Sequence, residues 1–445
     1  MKNATRMIAR ILMITMIAVF CFAAVPQTAS ADPYPRILDW SGSRWLYPGQ
    51  QSVKLHIYLS MPVDKVQLMY NNNGSWLVWN DCAAGDSDMD YWFSTVTQDT
   101  APKPKMEFKY RVGFNGNTSI YYSPTFTVEW TSYRGMERIA GKNRFKTAEA
   151  IAQRILSYTG KTKHKYVIVV SGSNYADALS GSYASAVADN APIYLVTNDP
   201  KVIDDTANAV ANAFDGTGFV FILGGTGAVP AEFEDALKAR GITRIQRYSG
   251  KDRYATNMNV LLSFGKWDYD HLNDQIMLCS GKNYADALSA SAVGHPIMLV
   301  GDELTLDQEA YFMENDPFIY LIGGTGAVSQ AIEDEIYYDF GYYYWRLYGK
   351  NRFETSQTVA DYFFPHQPYN AILAYGMNYP DGLAAGPLAQ VMNAPLLLVE
   401  NNNYMPAEDF FHEHDPRYTV VIGGTSLISD YTADRIRYWY EYAAG

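Results

Sequence analysis

A ten-residue motif occurs three times in this chain, and its recurrence restricts the fold more than any other feature of the sequence. It reads Ser/Tyr-Gly-x-Asn-Tyr-Ala/Pro-Asp-Ala/Gly-Leu-Ser/Ala and occupies residues 171–180, 280–289 and 375–384. A Gly-Lys-Asn/Asp-Arg-Phe/Tyr-x-Thr box precedes each copy, at residues 141–147, 250–256 and 349–355. A Gly-Gly-Thr turn follows each copy, at residues 224–226, 323–325 and 423–425. One unit is therefore used three times in succession.

The spacing of the boxes gives the size of the repeated unit. The first two boxes are 109 residues apart (250 − 141), and the last two are 99 apart (349 − 250). This period is longer than a solenoid repeat and matches a small domain. Three copies of one domain favour multivalent binding over catalysis.

The first 31 residues have the composition of an export signal. A positively charged start (Lys2, Arg6 and Arg10) precedes an apolar stretch, and residues 29–31 (Ala-Ser-Ala) form a small-residue cleavage site. The apolar stretch is short for a membrane span, and no later segment reaches that length. The sequence predicts a signal peptide at residues 1–31 that is removed on export, with a retained N-terminal anchor as the alternative.

Net charge and cysteine content exclude several classes of partner. The formal net charge is −12 and becomes −15 when the three basic residues of the leader are removed. A protein this acidic lacks the basic face that nonspecific binding to nucleic acid or to an anionic membrane requires. Cys82 and Cys279 remain after cleavage and fall in different predicted domains, so we expect no disulfide within a domain.

Residues 34–130 have the pattern of an all-β domain. Apolar and polar residues alternate in four segments, at 53–59, 63–70, 107–114 and 125–130. Turn-forming residues separate these segments, at 71–74, 83–88 and 115–117. Short strands divided by turns predict a β-sandwich.

The order of aromatic and polar residues in this domain resembles the starch-binding carbohydrate modules of family 21. The order runs through residues 67–71, 76–81, 91–92, 107–111 and 116–122. It departs from the family at Tyr121-Tyr122, where members usually have Trp-Asp-Asn-Asn. The resemblance implies an α-glucan or another polysaccharide as ligand, stacked on Trp76, Trp79, Trp92 and Tyr122. Two alternatives remain: these side chains form the core of the sandwich, or the domain is an Ig-like spacer without a ligand.

From residue 136 onward, strands and helices alternate. In the first unit, apolar runs predict buried strands at 166–170, 192–197 and 218–223, followed by a short strand at 244–248. The intervening segments predict helices at 146–158, 176–189, 202–214 and 231–240. The pattern recurs in the other units, with strands at 275–279, 296–300, 318–322, 370–374, 395–399 and 419–422. It predicts three-layer α/β repeats with parallel sheets, covering residues 136–246, 247–345 and 346–445.

The ends of the units indicate how they are joined. The first two units each end in a short strand that leads into the next box. The third ends in a helix around residues 430–441 and lacks such a strand, whereas residues 136–141 give the first unit a spare one. Proteins usually avoid unpaired sheet edges. We therefore expect a pseudo-threefold ring in which residues 136–141 complete the third unit.

The boxes, the recurrent motif and the Gly-Gly-Thr-Gly-Ala-Val turn together resemble the cell-wall-binding repeat type 2 family, over residues 136–445. The resemblance implies an exported protein of a Gram-positive bacterium, anchored noncovalently to an anionic secondary polymer of the cell wall. In that family three units surround a pseudo-threefold axis, and the module attached to them varies.

The glycine-rich turns are the first candidates for holding an anionic polymer. Each joins a strand to a helix, where successive backbone N–H groups favour anions. The first turn lacks the dinucleotide fingerprint, because Pro230 stands at the third glycine position. The alternative is that the glycines serve only a tight turn. The candidate residues are Gly224, Gly225, Thr226, Gly323, Gly324, Thr325, Gly423, Gly424 and Thr425.

Recurrent cations in the boxes are the second candidates. Guanidinium groups match the geometry of phosphate and carboxylate, and an acidic protein that binds a polyanion must concentrate its cations locally. The candidates are Arg144 with Lys142, Arg253 with Lys251 and Arg352 with Lys350. The alternative is a structural arginine at a unit interface, paired with Asp177, Asp286 or Asp381.

Signs of catalysis or metal binding are few. The three aspartates lie in the first turn of a helix, where an acid is favoured, and a catalytic role is the alternative. Pro380 and Gly382 flank the third aspartate in place of alanines, which predicts an altered third site. His412 and His414 are the one clustered pair and are interpreted as a solvated loop. No Gly-x-Ser-x-Gly motif occurs, and we predict no cofactor and no metal.

Taken together, the sequence predicts a noncatalytic, exported cell-surface protein. The three repeats bind an anionic wall glycopolymer, and the sandwich displays a glycan-binding surface. One alternative is a secreted enzyme with its chemistry in the sandwich or in a cleft beside it. Another is a structural surface-layer protein without a glycan ligand.

Overall fold

The computed structural model describes residues 37–40, 44–46, 52–59, 63–72, 74–84, 90–97, 105–114, 116, 118–130, 135–268 and 274–437. The chain forms two compact units, Met1–Thr131 and Ser132–Gly445. The predicted signal peptide at residues 1–31 lies outside the described residues. Within the described part, every helix is too short or too polar to cross a membrane.

The first unit contains ten strands in two sheets. They are β1 (Ile37–Trp40), β2 (Arg44–Leu46), β3 (Ser52–Leu59), β4 (Lys65–Asn72), β5 (Ser75–Asp81), β6 (Ala83–Ala84), β7 (Asp90–Thr97), β8 (Lys105–Phe114), β9 (Ser119–Tyr122) and β10 (Phe126–Trp130). One sheet has the order β1-β3-β7-β6, and the other has the order β2-β10-β8-β4-β5, with β9 paired to β8. Strands β2 and β10 run parallel, and the other described pairs are antiparallel.

The two sheets share one core. Leu55 and Ile57 of β3 pack with Val66 and Leu68 of β4 and with Phe108 of β8. These residues alternate along their strands, because successive side chains of a strand point to opposite faces. The predicted β-sandwich is therefore confirmed. One detail differs, since the predicted turn at 83–88 begins with the short strand β6, which pairs with β7.

The second unit alternates strands and helices. Its strands are β11 (Gly135–Ile139), β12 (Val167–Ser171), β13 (Ile193–Val196), β14 (Val220–Leu223), β15 (Ile245–Tyr248), β16 (Gln275–Ser280), β17 (Ile297–Val300), β18 (Phe318–Ile322), β19 (Tyr344–Leu347), β20 (Asn370–Tyr375), β21 (Leu396–Val399) and β22 (Tyr418–Ile422). Its helices are α1 (Arg144–Thr159), α2 (Ala176–Leu179), α3 (Gly181–Val187), α4 (Pro200–Ala213), α5 (Ala231–Lys238), α6 (Arg253–Phe264), α7 (Ala285–Ala290), α8 (Leu306–Asn315), α9 (Gln330–Asp334), α10 (Arg352–Phe363), α11 (Ala385–Met392), α12 (Met405–His414) and α13 (Asp430–Arg437).

These strands form three parallel sheets of the same order. They are β13-β12-β14-β15, β17-β16-β18-β19 and β21-β20-β22-β11. The central strands are apolar except near their ends, and all five residues of β12 are buried, as expected for a parallel sheet covered by helices on both faces. The predicted α/β repeats are confirmed.

The third sheet is completed by a strand from the start of the first unit. Strand β11 pairs in parallel with β22, from Gly135 opposite Tyr418 to Ile139 opposite Ile422. In the other two sheets this position is taken by β15 and β19, each of which leads into the next box. The prediction that residues 136–141 complete the third unit is therefore confirmed, and the three units close into a ring.

Helices from neighbouring units pack together inside the ring. Helix α3 contacts α6, α7 contacts α10, and α11 contacts α1, so each junction uses the same kind of pair. The amide of Gln390 in α11 bonds to both other units, because its Nε2 donates hydrogen bonds to the carbonyl oxygens of Ser182 (3.0 Å) and Ser291 (2.9 Å). The ring is thus continuous at its centre.

Two segments differ from the sequence predictions. The single helix expected at 176–189 is divided into α2 and α3, and Gly181, a weak helix former, begins the second part. The loop expected at His412 and His414 is instead the last turn of α12, where His414 is buried. A polar segment at the end of a helix resembles a loop in sequence, since only one of its faces reaches the core.

Candidate functional site

Two loops from adjacent strands meet at the carboxyl end of each sheet in the ring. Strands β14 and β15 are parallel, with Leu223 opposite Tyr248, so the first Gly-Gly-Thr turn and the second Lys-Arg box leave the sheet side by side. The same arrangement follows Ile322 opposite Leu347 and Ile422 opposite Ile139. Open parallel sheets bind ligands at this end. Each candidate site is therefore built from two units.

The predicted threonines and lysines follow paired strands at the same spacing in all three sheets. Thr226 and Lys251 each lie three positions beyond the last paired residues of their strands, and so do Thr325 with Lys350 and Thr425 with Lys142. All six side chains are exposed. Within the described part of the chain, the three lysine ammonium groups form no hydrogen bond or ion pair. These cations are therefore available to a ligand.

The first glycine of each turn has a structural role. Gly224, Gly323 and Gly423 have φ angles of +115°, +101° and +99°, in the left-handed region that favours glycine. A Cβ at Gly224 would lie 2.6 Å from Oδ2 of Asp177, and a Cβ at Gly323 would lie 2.6 Å from Oδ2 of Asp286. The first glycines are buried and the second are partly exposed, so a ligand can reach the turn only beyond its first residue.

An arginine that the sequence analysis did not single out holds each turn. Arg247 of β15 donates Nη1 to the carbonyl oxygen of Gly224 (2.8 Å), and its Nη2 lies 2.7 Å from Oε1 of Glu234. The same two contacts recur in the other sheets, for Arg346 with Gly323 and Glu333, and for Arg138 with Gly423 and Asp430. The clue in the sequence is an arginine three residues before each Gly-Lys box.

The predicted box arginines lie at the junctions between units. Each is the first residue of a helix, is half-buried, and donates Nη1 to a glycine carbonyl of its own unit. The pairs are Arg144 with Gly172 (2.7 Å), Arg253 with Gly281, and Arg352 with Gly376 (2.7 Å). Two of the arginines also reach the preceding unit, where Arg253 meets the hydroxyl of Tyr175 (3.2 Å) and Arg352 that of Tyr284 (2.7 Å).

The motif tyrosines of the three units converge. The ring centroids of Tyr175, Tyr284 and Tyr379 lie 5.8, 5.4 and 5.4 Å apart, one ring from each unit. The third tyrosine differs in its partner, since its hydroxyl donates to the carbonyl oxygen of Ser173 (3.0 Å). The sequence motif identified these tyrosines as recurrent residues, whereas their contact with one another results from the arrangement of the three units.

The motif aspartates face arginines of the next unit. Burial raises the pKa of Asp177 to about 6, and the guanidinium of Arg253 acts in the opposite direction. Burial likewise raises the pKa of Asp286 to about 6, opposed by Arg352. Burial also raises the pKa of Asp381, while Thr147 and Arg144 lower it. At each junction the charge of a box arginine therefore acts on a motif aspartate of the neighbouring unit, although no ion pair within 4 Å joins these described residues.

The candidate glycan residues of the sandwich have different environments. Trp76 and Tyr122 flank one cation, with Nζ of Lys109 at 4.2 Å from the Trp76 ring centroid and 4.3 Å from that of Tyr122. Trp79 instead packs edge-on against Tyr70 and Phe108 at the core, with both centroid distances 5.5 Å. The side chain of Trp92 lies outside the described residues.

Two curated relatives are similar to this chain. N-acetylmuramoyl-L-alanine amidase LytC of Bacillus subtilis is 27% identical over 326 residues, which cover 72% of this chain and 60% of the relative. The amidase enhancer of the same organism is 25% identical over 326 residues, which cover 72% of this chain and 43% of the relative. The chain thus spans about half the length of these curated relatives.

Two solved structures have the same fold. Cwp6 from Clostridium difficile aligns with a TM-score of 0.63 at 18% identity, covering 91% of this chain and 67% of Cwp6. Cwp8 from the same organism aligns with a TM-score of 0.59 at 17% identity, covering 87% of this chain and 88% of Cwp8.

The family model of cell wall binding domain 2 (CWB2) matches this chain three times, over residues 138–234, 247–333 and 346–433. The first match begins within β11, the strand that completes the third sheet. The three matches cover more than half of the chain, and each includes one box, one motif and one Gly-Gly-Thr turn. This chain belongs to the cell wall binding domain 2 family.

Proposed function

We propose that the three-unit ring anchors this protein noncovalently to an anionic secondary polymer of a Gram-positive cell wall. The observation that carries the proposal is the threefold placement of an exposed threonine and an exposed lysine where two units meet. Membership in the cell wall binding domain 2 family and the similarity to two Bacillus proteins support it.

Charge favours the lysine sets as the place of contact. The chain has 47 acidic and 35 basic residues, so a polyanion is repelled by the protein as a whole and must be held by local cations. The box arginines already bond to glycine carbonyls and face aspartates, whereas the lysines are exposed. The helix N-termini are also satisfied, because Asn143, Asp252 and Asn351 accept hydrogen bonds from their own helices.

Three sites on one ring suit a polymer better than a small molecule. A repeating glycopolymer offers the same anionic group many times, so a chain bound at one junction raises the local concentration at the next. The exposed threonine hydroxyls add hydrogen-bond donors and acceptors beside each cation. Modest contacts at each site thus combine into firm anchoring.

Replacing Lys142, Lys251 and Lys350 together by glutamine tests this contact. We expect the affinity for purified walls to fall about tenfold or more, and its dependence on salt to weaken, because exposed charge pairs contribute up to about 1 kcal/mol each and are screened by salt. The melting temperature should stay unchanged, since these side chains are exposed. The measurement is cosedimentation with walls over a series of salt concentrations.

A matched control removes three other lysines. Lys161, Lys163 and Lys238 are exposed and precede strands β12 and β15, outside the Gly-Lys boxes and the Gly-Gly-Thr turns, so their replacement by glutamine makes the same change in net charge. We expect this variant to bind walls like the unaltered protein. Equal losses in both variants would mean that total charge, and not the junction lysines, governs wall binding.

For the sandwich we propose a glycan-binding face around Trp76 and Tyr122. Both rings lie beside Lys109, and neighbouring polar side chains are ordered, since Asn71 donates to Glu107 (2.6 Å) and Arg111 donates to Gln67 (2.9 Å). Aromatic faces next to fixed hydrogen-bonding groups suit a sugar ring. Trp79 contributes through the core beneath this face.

The Trp76→Ala and Tyr122→Ala variants test this face. Each should weaken retention on an immobilised α-glucan by about threefold to tenfold, because an aromatic stacking contact contributes about 0.5–1.5 kcal/mol. Tyr121→Ala is the control, as this exposed neighbour pairs with Val112 in register and its side chain lies on the other face of the strand. Retention of both variants at the level of the control would remove Trp76 and Tyr122 from the glycan site.

We infer that the ring itself is a binding module and not a catalytic one. The amidase and the amidase enhancer have names that indicate different activities, yet each is similar to this chain over 326 residues. A region shared by two proteins with different activities performs a function that both proteins need, and we infer that this function is binding. The protein as a whole then displays the sandwich at the cell surface.

A further inference from the structure

Three side chains with metal-ligand atoms converge in the third unit of the ring. Glu413 and His414 end helix α12, and Asp361 lies in the last turn of α10. One ligand atom from each lies within 4.8 Å of the other two. In the part of the chain that the structure describes, no other group of three His, Cys, Asp or Glu side chains has this geometry.

The histidine of this cluster is fixed in place. His414 is 6% exposed, and its ring packs on Phe410 with centroids 4.4 Å apart. Its Nε2 lies 3.0 Å from Oδ1 of Asp361, which is half-buried. Glu413 is exposed beside them. The cluster therefore contains an ordered imidazole, that of His414, whose Nε2 contacts the Asp361 carboxylate. The second carboxylate, that of Glu413, lies at the surface and can change its position.

These distances suit a zinc ion. Zinc binds nitrogen at about 2.0–2.1 Å and carboxylate oxygen at about 2.0–2.2 Å, so tetrahedral ligand atoms lie about 3.3–3.5 Å apart. The Nε2 of His414 and the Oδ1 of Asp361 are at 3.0 Å, and Glu413 needs only a small movement of its exposed side chain. One nitrogen among the ligands disfavours Ca²⁺ and Mg²⁺, which prefer oxygen alone.

The other two units lack this set of ligands. Helices α8 and α12 end in the same way, each capped by a left-handed aspartate (Asp316 and Asp415), which aligns the final residues of the helices. The residues equivalent to Asp361, Glu413 and His414 are Leu262, Glu314 and Asn315 in the second unit, and Gln153, Asn212 and Ala213 in the first. The repeated fold therefore does not require the cluster.

A hydrogen bond alone explains only part of the cluster. The contact between His414 and Asp361 joins α10 to α12 and satisfies a buried imidazole. Glu413 adds a second carboxylate beside this pair, whereas its equivalent Glu314 has Leu262 and Asn315 in the places of Asp361 and His414. A divalent cation would bind both carboxylates and offset their repulsion.

We propose that His414, Asp361 and Glu413 bind one Zn²⁺ ion in the third unit, with water as the fourth ligand. The ion joins the final turns of α10 and α12. Because the folded protein presents the ligands together, binding of Zn²⁺ stabilises the ring by mass action.

Titration calorimetry on the full-length protein, freed of metal by a chelator, tests this site with ZnCl₂ and CaCl₂. We expect saturable binding of one Zn²⁺ per chain and much weaker binding of Ca²⁺. Glu413→Gln should weaken Zn²⁺ binding about tenfold or more, and His414→Asn should abolish it. Glu314→Gln, the equivalent exposed position of the second unit, should bind like the unaltered protein.

Melting curves separate a metal site from a purely structural bond. Glu413→Gln should melt like the unaltered protein without metal, because the side chain is exposed, but should gain less stability from Zn²⁺. His414→Asn introduces the residue type found at the equivalent position of the second unit, Asn315. It therefore tests whether the histidine is a ligand of the ion. Absence of Zn²⁺ binding by the unaltered protein would overturn the proposal. So would Zn²⁺ binding that survives both substitutions, since the ion would then lie elsewhere, for example at His412.

Discussion

Deleting β11 (Gly135–Ile139) should unfold the third unit of the ring, although the deleted residues lie at the start of the first. Five residues of β11 are in register with β22, and each net backbone hydrogen bond contributes about 1 kcal/mol. Burial of Ile139 and the contacts of Arg138 with Gly423 and Asp430 add to the free energy that β11 contributes. The total of about 5–8 kcal/mol approaches the stability of a whole domain.

Hydrogen exchange locates this loss. We expect the amides of β22 and β20 in the third sheet to exchange rapidly in the altered protein, whereas those of β16 and β18 in the second sheet keep their protection. The second sheet is the internal control, since its own edge strand β19 is untouched. Unchanged protection of β22 would show that the ring is not closed by β11.

Gly224→Ala and Gly323→Ala should each destabilise the ring by about 3 kcal/mol. The left-handed backbone costs about 1 kcal/mol for any residue with a Cβ. The new methyl group would also stand 2.6 Å from the carboxylate of Asp177 or Asp286, which must shift out of its place beside the neighbouring unit. Both effects act where two units meet, so the loss of stability should lower the melting temperature of the whole ring.

The turn offers graded controls for these substitutions. Gly423→Ala should cost less, because Asp381 lies 3.2 Å from the added Cβ. Gly227→Ala and Gly326→Ala should be neutral, since nothing lies within 4 Å of a Cβ at either position. The order of stability losses, measured by urea unfolding, is the test. A neutral Gly224→Ala alongside a damaging Gly227→Ala would contradict the geometry of the turn.

The closed ring is the part of the fold that the sequence predicted best. Apolar runs that alternate with helices predict parallel sheets. The first unit begins with a spare strand, and the third unit lacks its last strand. Pairing the two required only the rule that sheet edges are rarely left open. The pairing of β11 with β22 agrees with this reasoning, residue by residue.

The side-chain contacts of the motif tyrosines and of the arginines that hold the turns were not predictable from the sequence. Tyr175, Tyr284 and Tyr379 are about a hundred residues apart, and nothing local indicates that their rings meet. The role of Arg247 was missed for the same reason, since its partner is the carbonyl of a turn on the adjacent strand. Such contacts depend on the rotation that relates the units, which periodicity does not encode.

The sequence left the position of Trp79 open between core and ligand site, and it placed His414 wrongly. Trp79 turns into the core at a register shift between β4 and β5, and simple alternation gives no sign of such an irregularity. His414 was interpreted as part of a solvated loop because its neighbours are polar. Its partner Asp361 lies 53 residues earlier, on another helix, so no spacing rule for metal ligands connects them.

Anchoring to an anionic secondary wall polymer is the central function proposed for the ring. The direct measurement is binding of the full-length protein to purified Gram-positive walls before and after chemical removal of that polymer, with the peptidoglycan left intact. We expect strong, salt-sensitive binding to the complete walls and loss of binding to the stripped walls. Equal binding to both would contradict anchoring through the secondary polymer, because it would place the ligand in the peptidoglycan itself.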